Sequence, residues 1–230
     1  MISQVSWKVN RGTRGCVPLD KFTVIIGSPD SGKEQILSNL FHDHSAHWGL
    51  GVIEWWPDVL PPLTASGANA VVQEVRAFYP LVEDIRFLDG NRLQSVTFKG
   101  NGPVSVLHLD IGVRKIVEYA MLVVGMLDSI TLLIENVDEH IECRYHKGLA
   151  QLVSRIPGQV VLTTTSPFFL DAVPVESIRV VAANGLRTCA ALMTQHPKWK
   201  PSCTPGEFWA TEGDGWPVRI LSGGVLGEQK

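Results

Sequence analysis

The stretch Phe22-Thr-Val-Ile-Ile-Gly-Ser-Pro-Asp-Ser-Gly-Lys-Glu-Gln35 decides the fold. Its first five residues form a continuous β-branched, apolar run, the pattern of a strand buried on both faces. Ile36, Leu37, Leu40 and Phe41 follow at helical spacing. Between them, Gly27, Gly32 and Lys33 satisfy G-x-x-x-x-G-K, a loop whose backbone amides and following helix N-terminus cradle a phosphate while the lysine reaches the β and γ oxygens. Ser28, Asp30, Ser31 and Gln35 complete the candidate binding segment. A hydroxyl is expected after the lysine to ligate magnesium, and the chain has Glu34 there. A carboxylate can coordinate a hard cation, but it also sets negative charge beside a polyphosphate. The competing reading is an ordinary glycine turn before a helix, with Lys33 exposed and Glu34 a favourable acid in the first turn.

Working outward, Ser6–Val9 suggests a strand and Gly12–Gly15 a turn. Residues 42–68, rich in His, Trp, Pro and Gly, suggest an irregular segment in which Pro57, Pro61 and Pro62 prevent a long helix. A helical pattern spans Ala70–Phe78. Short strands at Ile85–Leu88, Ser95–Phe98 and Val104–Leu107 suggest an antiparallel layer over about residues 81–107. Gly112–Met126 reads as a helix, Ile130–Ile134 as a buried strand, Tyr145–Arg155 as a helix and Gln159–Thr163 as another buried strand. Later strands are expected at Ile178–Ala182 and Ala190–Met193, with a loop at His196–Pro205. Strands alternating with helices predict an α/β domain with a core parallel sheet flanked by helices.

Four segments together resemble the ABC/SMC-type ATPase heads, closest to the small OLD-like AAA ATPases that accompany nucleases and other effectors in bacterial defence and toxin systems. Gly27–Glu34 is similar to the Walker A loop. Leu109-Asp-Ile-Gly-Val-Arg-Lys115 sits where such proteins have a signature helix. Leu132-Leu-Ile-Glu-Asn-Val-Asp138 is similar to Walker B and its turn, and Val161-Leu-Thr-Thr-Thr-Ser-Pro-Phe-Phe-Leu-Asp171 to the strand and turn that carry the switch histidine. Gly206–Ala210 has the look of a tail in some of these ATPases. The resemblance implies a P-loop fold, ATP or ADP as ligand, magnesium as its cation, and heads that pair face to face.

It also implies catalytic roles that this chain fills unusually. Walker B should end in Asp-Glu; Glu135 and Asn136 stand there. The switch histidine position is Thr165, and the signature serine position is Asp110 or Ile111. An amide cannot take the proton of attacking water, so loss of that base alone costs about 10²–10⁴ in rate, roughly 3–5 kcal/mol of barrier. Glu34 and Glu135 are the candidate magnesium ligands. Asp138 matches a second acidic position in the turn, and a three-residue shift making Asp138-Glu139 the acidic pair would bury Glu135 and Asn136.

The chain's 45% hydrophobic and 19% charged residues suit a globular domain, and a formal charge of -3 gives no global basic field for nucleic acid or membrane. Nucleic-acid binding therefore enters only by family analogy. The apolar stretch Tyr119–Ile134 is interrupted by Asp128 and too short to span a membrane. Cys16, Cys143, Cys189 and Cys203 form no CxxC pair, which suits reduced thiols in the cytoplasm. His42, His44 and His47 with Asp43 could bind zinc, but a polar helix end is the plainer reading. Trp48, Trp55 and Trp56 lack the interleaved cations of a base-stacking platform, and Lys8, Arg11 and Arg14 suit a solvated turn. Leu221-Ser-Gly-Gly224 spells most of an ABC signature but follows Walker B, in a stretch from about 211 to 230 that reads as a flexible tail. No G-x-S-x-G elbow is present.

The expectation is a single head domain over residues 1–230, acting as a homodimer or as a hetero-oligomer with an effector protein. Three functions compete: a regulatory or scaffolding subunit of a larger complex that binds ATP or ADP weakly or not at all, with weak or lost hydrolysis; an active ATPase with non-standard acids that powers or gates an associated effector; and a nucleotide-free scaffold in which Glu34 pairs with Lys33.

Overall fold

The computed structural model describes residues 2, 4–9, 13–28, 31–43, 47–49, 62–89, 91–184 and 187–213. Its centre is a six-stranded sheet. Strands β3 (Phe22–Ile26), β8 (Thr131–Ile134), β9 (Gln159–Thr164), β10 (Ile178–Asn184) and the short β4 (His47–Gly49) run parallel. Strand β11 (Arg187–Leu192) pairs antiparallel with β10 at one edge, giving the order β11-β10-β3-β9-β8-β4. Two smaller antiparallel sheets accompany it: β1 (Gln4–Val9) with β2 (Thr13–Pro18), and β5 (Val82–Leu88), β6 (Arg92–Phe98) and β7 (Pro103–Ser105).

The apolar runs are continuous because both faces of the central sheet are covered. Ile25, Leu133, Val161 and Val181 point to one face and pack with Ile36, Leu37 and Leu40 of α1 (Lys33–Asp43). Val24, Ile26, Leu132, Ile134, Val160, Leu162 and Val180 point to the other. There they meet α3 (Ile111–Gly125) and α4 (His146–Val153), with α2 (Ala65–Arg76) and the β5–β7 sheet in the same core. Each fully buried Ile, Leu or Val contributes about 1.5–3 kcal/mol relative to exposure, so this double-sided core dominates the stability. Two further helices complete the fold: α5 (Pro167–Leu170) lies in the connection from β9 to β10, and α6 (Pro205–Glu212) comes after β11.

Several expected boundaries move. Helix α2 begins at Ala65 instead of Ala70, because Thr64 is an N-cap whose Oγ1 accepts the Gly67 N–H at 3.1 Å. The segment read as irregular also contributes His47–Gly49 to the sheet beside β8. The turn expected at Gly12–Gly15 is shorter: Thr13 already pairs with Val9, and Gly15 with Trp7. The strand expected to reach Leu107 stops at Ser105, whose Oγ accepts the Leu107 N–H and starts a 3₁₀ turn. At the C-terminus, Thr211 and Glu212 close α6, and residues 214–230, including Leu221–Gly224, lie outside the described residues. So do Arg11, His44, Trp55 and Trp56, and the side chains of Lys8, Arg14, His42, Asp43, His47 and Trp48.

One carboxylate sits badly in this core. Glu118 on α3 takes a hydrogen bond from Arg114 Nε at 2.9 Å on Oε1, while its buried Oε2 has no partner among the described residues. Burial raises its pKa from 4.5 to about 7, against the pull of Arg114 and Lys115. A carboxyl whose folded pKa is raised destabilises the fold when ionised. Its penalty is absent below about pH 4.5 and complete above about pH 7. Glu118→Gln is therefore expected to remove a loss of stability on the order of 3 kcal/mol between those limits. Urea midpoints across this range will show it as a flatter profile in the variant; parallel profiles would exonerate Glu118.

Candidate functional site

The parallel registers bring three chain segments to one edge of the sheet. Ile26 pairs with Thr164 and Ile134 with Leu162, so β3, β9 and β8 finish side by side. Gly27, Thr165 and Glu135 then leave the sheet at the same rim, the end of a parallel sheet where ligand crevices form.

After β3 the chain wraps tightly. An added Cβ on Gly27 would lie 2.5 Å from the Val181 carbonyl oxygen, so the glycine is required by close approach to β10. Gly32 has φ +89°, a left-handed conformation that glycine adopts without penalty. The Ser31 N–H donates to Ser28 O at 3.1 Å, and the Ile36 N–H to Gly32 O at 3.2 Å as α1 begins. Ser31 is buried, and its Oγ has no hydrogen-bond partner among the described residues. Asp30 lies outside the described residues. Gln35 is exposed, its amide directed along α1 to Asn39 Oδ1 at 3.4 Å.

Lys33 is 2% exposed, contrary to the solvated lysine of an ordinary turn. Its Nζ donates to Ser28 O at 3.2 Å and lies 3.0 Å from Glu34 Oε1. The ammonium is thus held by its own loop and its own neighbour. Glu34 also reaches the third segment electrostatically: the Glu135 carboxyl is raised above its ordinary value by partial burial, then by the charges of Glu34 and Glu139, with Lys33 opposing. Glu34, Glu135 and Lys33 therefore share one field.

The turn after β8 is firmly built. Strand β8 ends at Ile134, leaving Glu135 and Asn136 outside it and Val137 buried, which removes the three-residue shift. Asn136 has φ +46°, a conformation asparagine tolerates better than most side chains. Its N–H donates to Thr163 Oγ1 at 2.8 Å. Asp138 Oδ1 accepts the Thr164 hydroxyl at 2.7 Å, so the carboxylate ties the turn to β9. Thr165 itself is exposed at the rim.

Two site-forming residues escaped sequence reasoning. His146 is buried; its Nδ1 faces Ser166 Oγ at 2.6 Å and its Nε2 faces Ile141 O at 2.8 Å. Because a carbonyl only accepts, Nε2 carries a proton toward Ile141 O, and in the neutral tautomer Nδ1 accepts from Ser166. Lys115, also buried, donates from Nζ to Glu139 O at 2.9 Å. At the start of α3, Asp110 Oδ1 accepts the Gly112 and Val113 N–H groups at 2.8 and 3.2 Å. The first amides of this helix are therefore occupied by the chain's own carboxylate. Among the described residues, no group of three or more His, Cys, Asp or Glu is placed to hold a metal, and no helix is long and apolar enough to cross a membrane.

No known protein-family profile matches the chain, and no curated protein matches it. Solved structures do. The chain is similar to the SMC head domain from Thermotoga maritima, with a TM-score of 0.54 and 9% identity over 82% of this chain and 97% of that one. It is similar also to an SMC head bound to the C-winged helix domain of ScpA, with a TM-score of 0.54 and 12% identity over 78% of this chain and 92% of that one. At these identities the likeness is one of fold: that of an SMC head, a P-loop NTPase fold with a parallel sheet flanked by helices and an added antiparallel layer.

Proposed function

We propose that the chain is a single degenerate head domain of the OLD-like, ABC/SMC type, a regulatory or scaffolding subunit whose phosphate loop takes ATP or ADP weakly and does not turn it over efficiently. The observation that carries this reading is the Lys33 ammonium held between Ser28 O and Glu34 Oε1. A polyphosphate entering the loop must compete with that carboxylate for the lysine. The close Gly27 turn and the left-handed Gly32 fit a phosphate cradle. Glu34 and Glu135 are the two carboxylates that would hold magnesium, and magnesium would supply charge neutralisation between phosphate oxygens. With Glu34 turned onto Lys33, the cation is poorly provided for.

Other positions support loss of turnover. Asn136 cannot act as a base, Asp138 is engaged by Thr164, and Thr165 has no imidazole. Asp110 sets a negative charge on the N-terminus of the helix that, by the family resemblance, would face a partner's nucleotide. We infer from this that the chain pairs through protein contacts more than through a shared nucleotide, as a homodimer or with an effector protein in the cytoplasm, in an assembly such as a bacterial defence system. One similar SMC head is bound to a domain of ScpA, a precedent for a protein partner on this fold. The nucleotide-free scaffold is the second reading, favoured by the same Lys33–Glu34 pair.

Calorimetry of the purified chain with ATP and ADP, with and without magnesium, tests the proposal. Measurable affinity with no phosphate release supports a binding subunit. Sustained release would establish an active ATPase instead, and no binding under any condition would leave the scaffold. Glu34→Ser is expected to tighten magnesium-nucleotide binding by about tenfold. One unit charge roughly 5 Å from a phosphate, at an effective dielectric near 20–40, is worth about 2–3 kcal/mol, and solvent screening of a half-exposed side chain leaves about half of that. Unchanged affinity would show that Glu34 does not obstruct the loop.

A further inference from the structure

The turn that carries the acidic residues is gripped along one side by helix α3. Tyr119, buried, donates its hydroxyl to Val137 O at 3.2 Å, and Lys115 donates to Glu139 O at 2.9 Å. Gly112 lies so close to the turn that a Cβ there would be 2.6 Å from His140 O. Residues 112, 115 and 119 recur at helical spacing, so a single stripe of α3 meets three of four consecutive residues in the turn. The opposite side is fixed by β9, through Thr163 to Asn136 and Thr164 to Asp138.

Lys115 is the unusual member. A buried ammonium is costly unless it serves a fixed acceptor, and no carboxylate lies within ion-pair distance of it among the described residues. Burial lowers its pKa, and the surrounding charges of Glu139, Asp138 and Glu118 oppose that shift. A leucine or methionine would fill the same volume without that cost, so packing alone does not account for a lysine here.

We propose that Lys115 is a positioning residue: through Glu139 O, with Tyr119 through Val137 O, it makes α3 and the turn bearing Glu135, Asn136 and Asp138 one rigid body, so that movement of α3 is transmitted to the candidate nucleotide site. The proposal rests on the functional reading above where the nucleotide is concerned, but the mechanical linkage stands by itself. The exposed end of that rigid body is the start of α3, where Ile111 is 48% exposed, with Leu107, 85% exposed, in the 3₁₀ turn just before it. A partner that shifts α3 would therefore shift the acidic turn with it.

Hydrogen exchange on the full chain tests the linkage without any nucleotide. In Lys115→Met, amides of residues 136–141 are expected to exchange about tenfold faster or more, the scale of one lost charge-assisted hydrogen bond. The global urea midpoint should hold or rise, since the buried charge is gone. Lys115→Arg, which keeps a donor, should restore part of the protection. A purely structural lysine predicts a different pattern: a lower midpoint with acceleration spread over the sheet, and that result would overturn the proposal. Unchanged exchange at 136–141 in a folded Lys115→Met would overturn it equally. Should Lys115→Met not fold, Tyr119→Phe, which keeps the ring and loses only the hydroxyl, is read by the same two criteria. ADP affinity is measured in parallel. A weakened affinity in Lys115→Met extends the linkage to the site, whereas an absence of binding in the unaltered chain defeats the functional reading and leaves the exchange result to decide the linkage.

Discussion

ADP binding to Lys33→Ala is expected to be at least ~100-fold weaker than to the unaltered chain, with the urea midpoint nearly unchanged. The two effects separate for a physical reason. A largely desolvated ammonium facing a phosphate is worth about 2–4 kcal/mol or more. For folding, however, the same ammonium is a buried charge whose hydrogen-bond and ion-pair partners among the described residues are Ser28 O and a half-exposed Glu34. Removing it leaves Glu34 free to turn to water, so little folding free energy is lost. Calorimetry at matched protein concentration gives the first quantity and urea unfolding the second. Loss of both together would mean that Lys33 is structural; undetectable affinity in both proteins would assign the chain to nucleotide-free scaffolds.

Gly27→Ala is expected to destabilise the protein by about 2–3 kcal/mol and to abolish whatever nucleotide affinity the loop has. The new Cβ would fall 2.2 Å from Ser31 Oγ and 2.5 Å from Val181 O. Ser31 can rotate away, although its hydroxyl is already buried without a hydrogen-bond partner among the described residues. Val181 cannot: its strand is paired with β3 on one side and β11 on the other. The loop must therefore lift off the sheet edge. A fall of roughly 4–10 °C in the thermal midpoint follows for a chain of this size. A midpoint within a degree of the parent would show that the loop relaxes freely, and the close contact would then have no energetic weight.

The central strands were legible because burial on both faces leaves short apolar runs with no polar alternation, as in residues 24–26 and 160–162. Gly27, Gly32 and Lys33 were legible for another reason: a tight turn between such a strand and a helix leaves few residue choices. Helix α2 lost its first turn to Ser66 and Gly67, whose weak propensity is overridden by the Thr64 cap. Strand β4 was invisible because three residues carry no period. Lys115 and His146 were missed because their roles depend on partners 24 and 20 positions away, Glu139 and Ser166. A lysine or histidine inside a helical pattern reads as surface until the fold supplies those partners. Asn136 looked like a lost base, and its left-handed backbone gives the amide a conformational reason to be there as well.

One consequence follows from β9 lying between β3 and β8. The gap separating the glycine loop from the acidic turn is two strand spacings, roughly 9–10 Å. Main-chain ladders act as the ruler here, and every residue type except proline can build them. Substitution at the rim can therefore alter charge and chemistry without changing the width of the opening. Such a chain can drift away from catalysis and still fit the partners that gauge its shape.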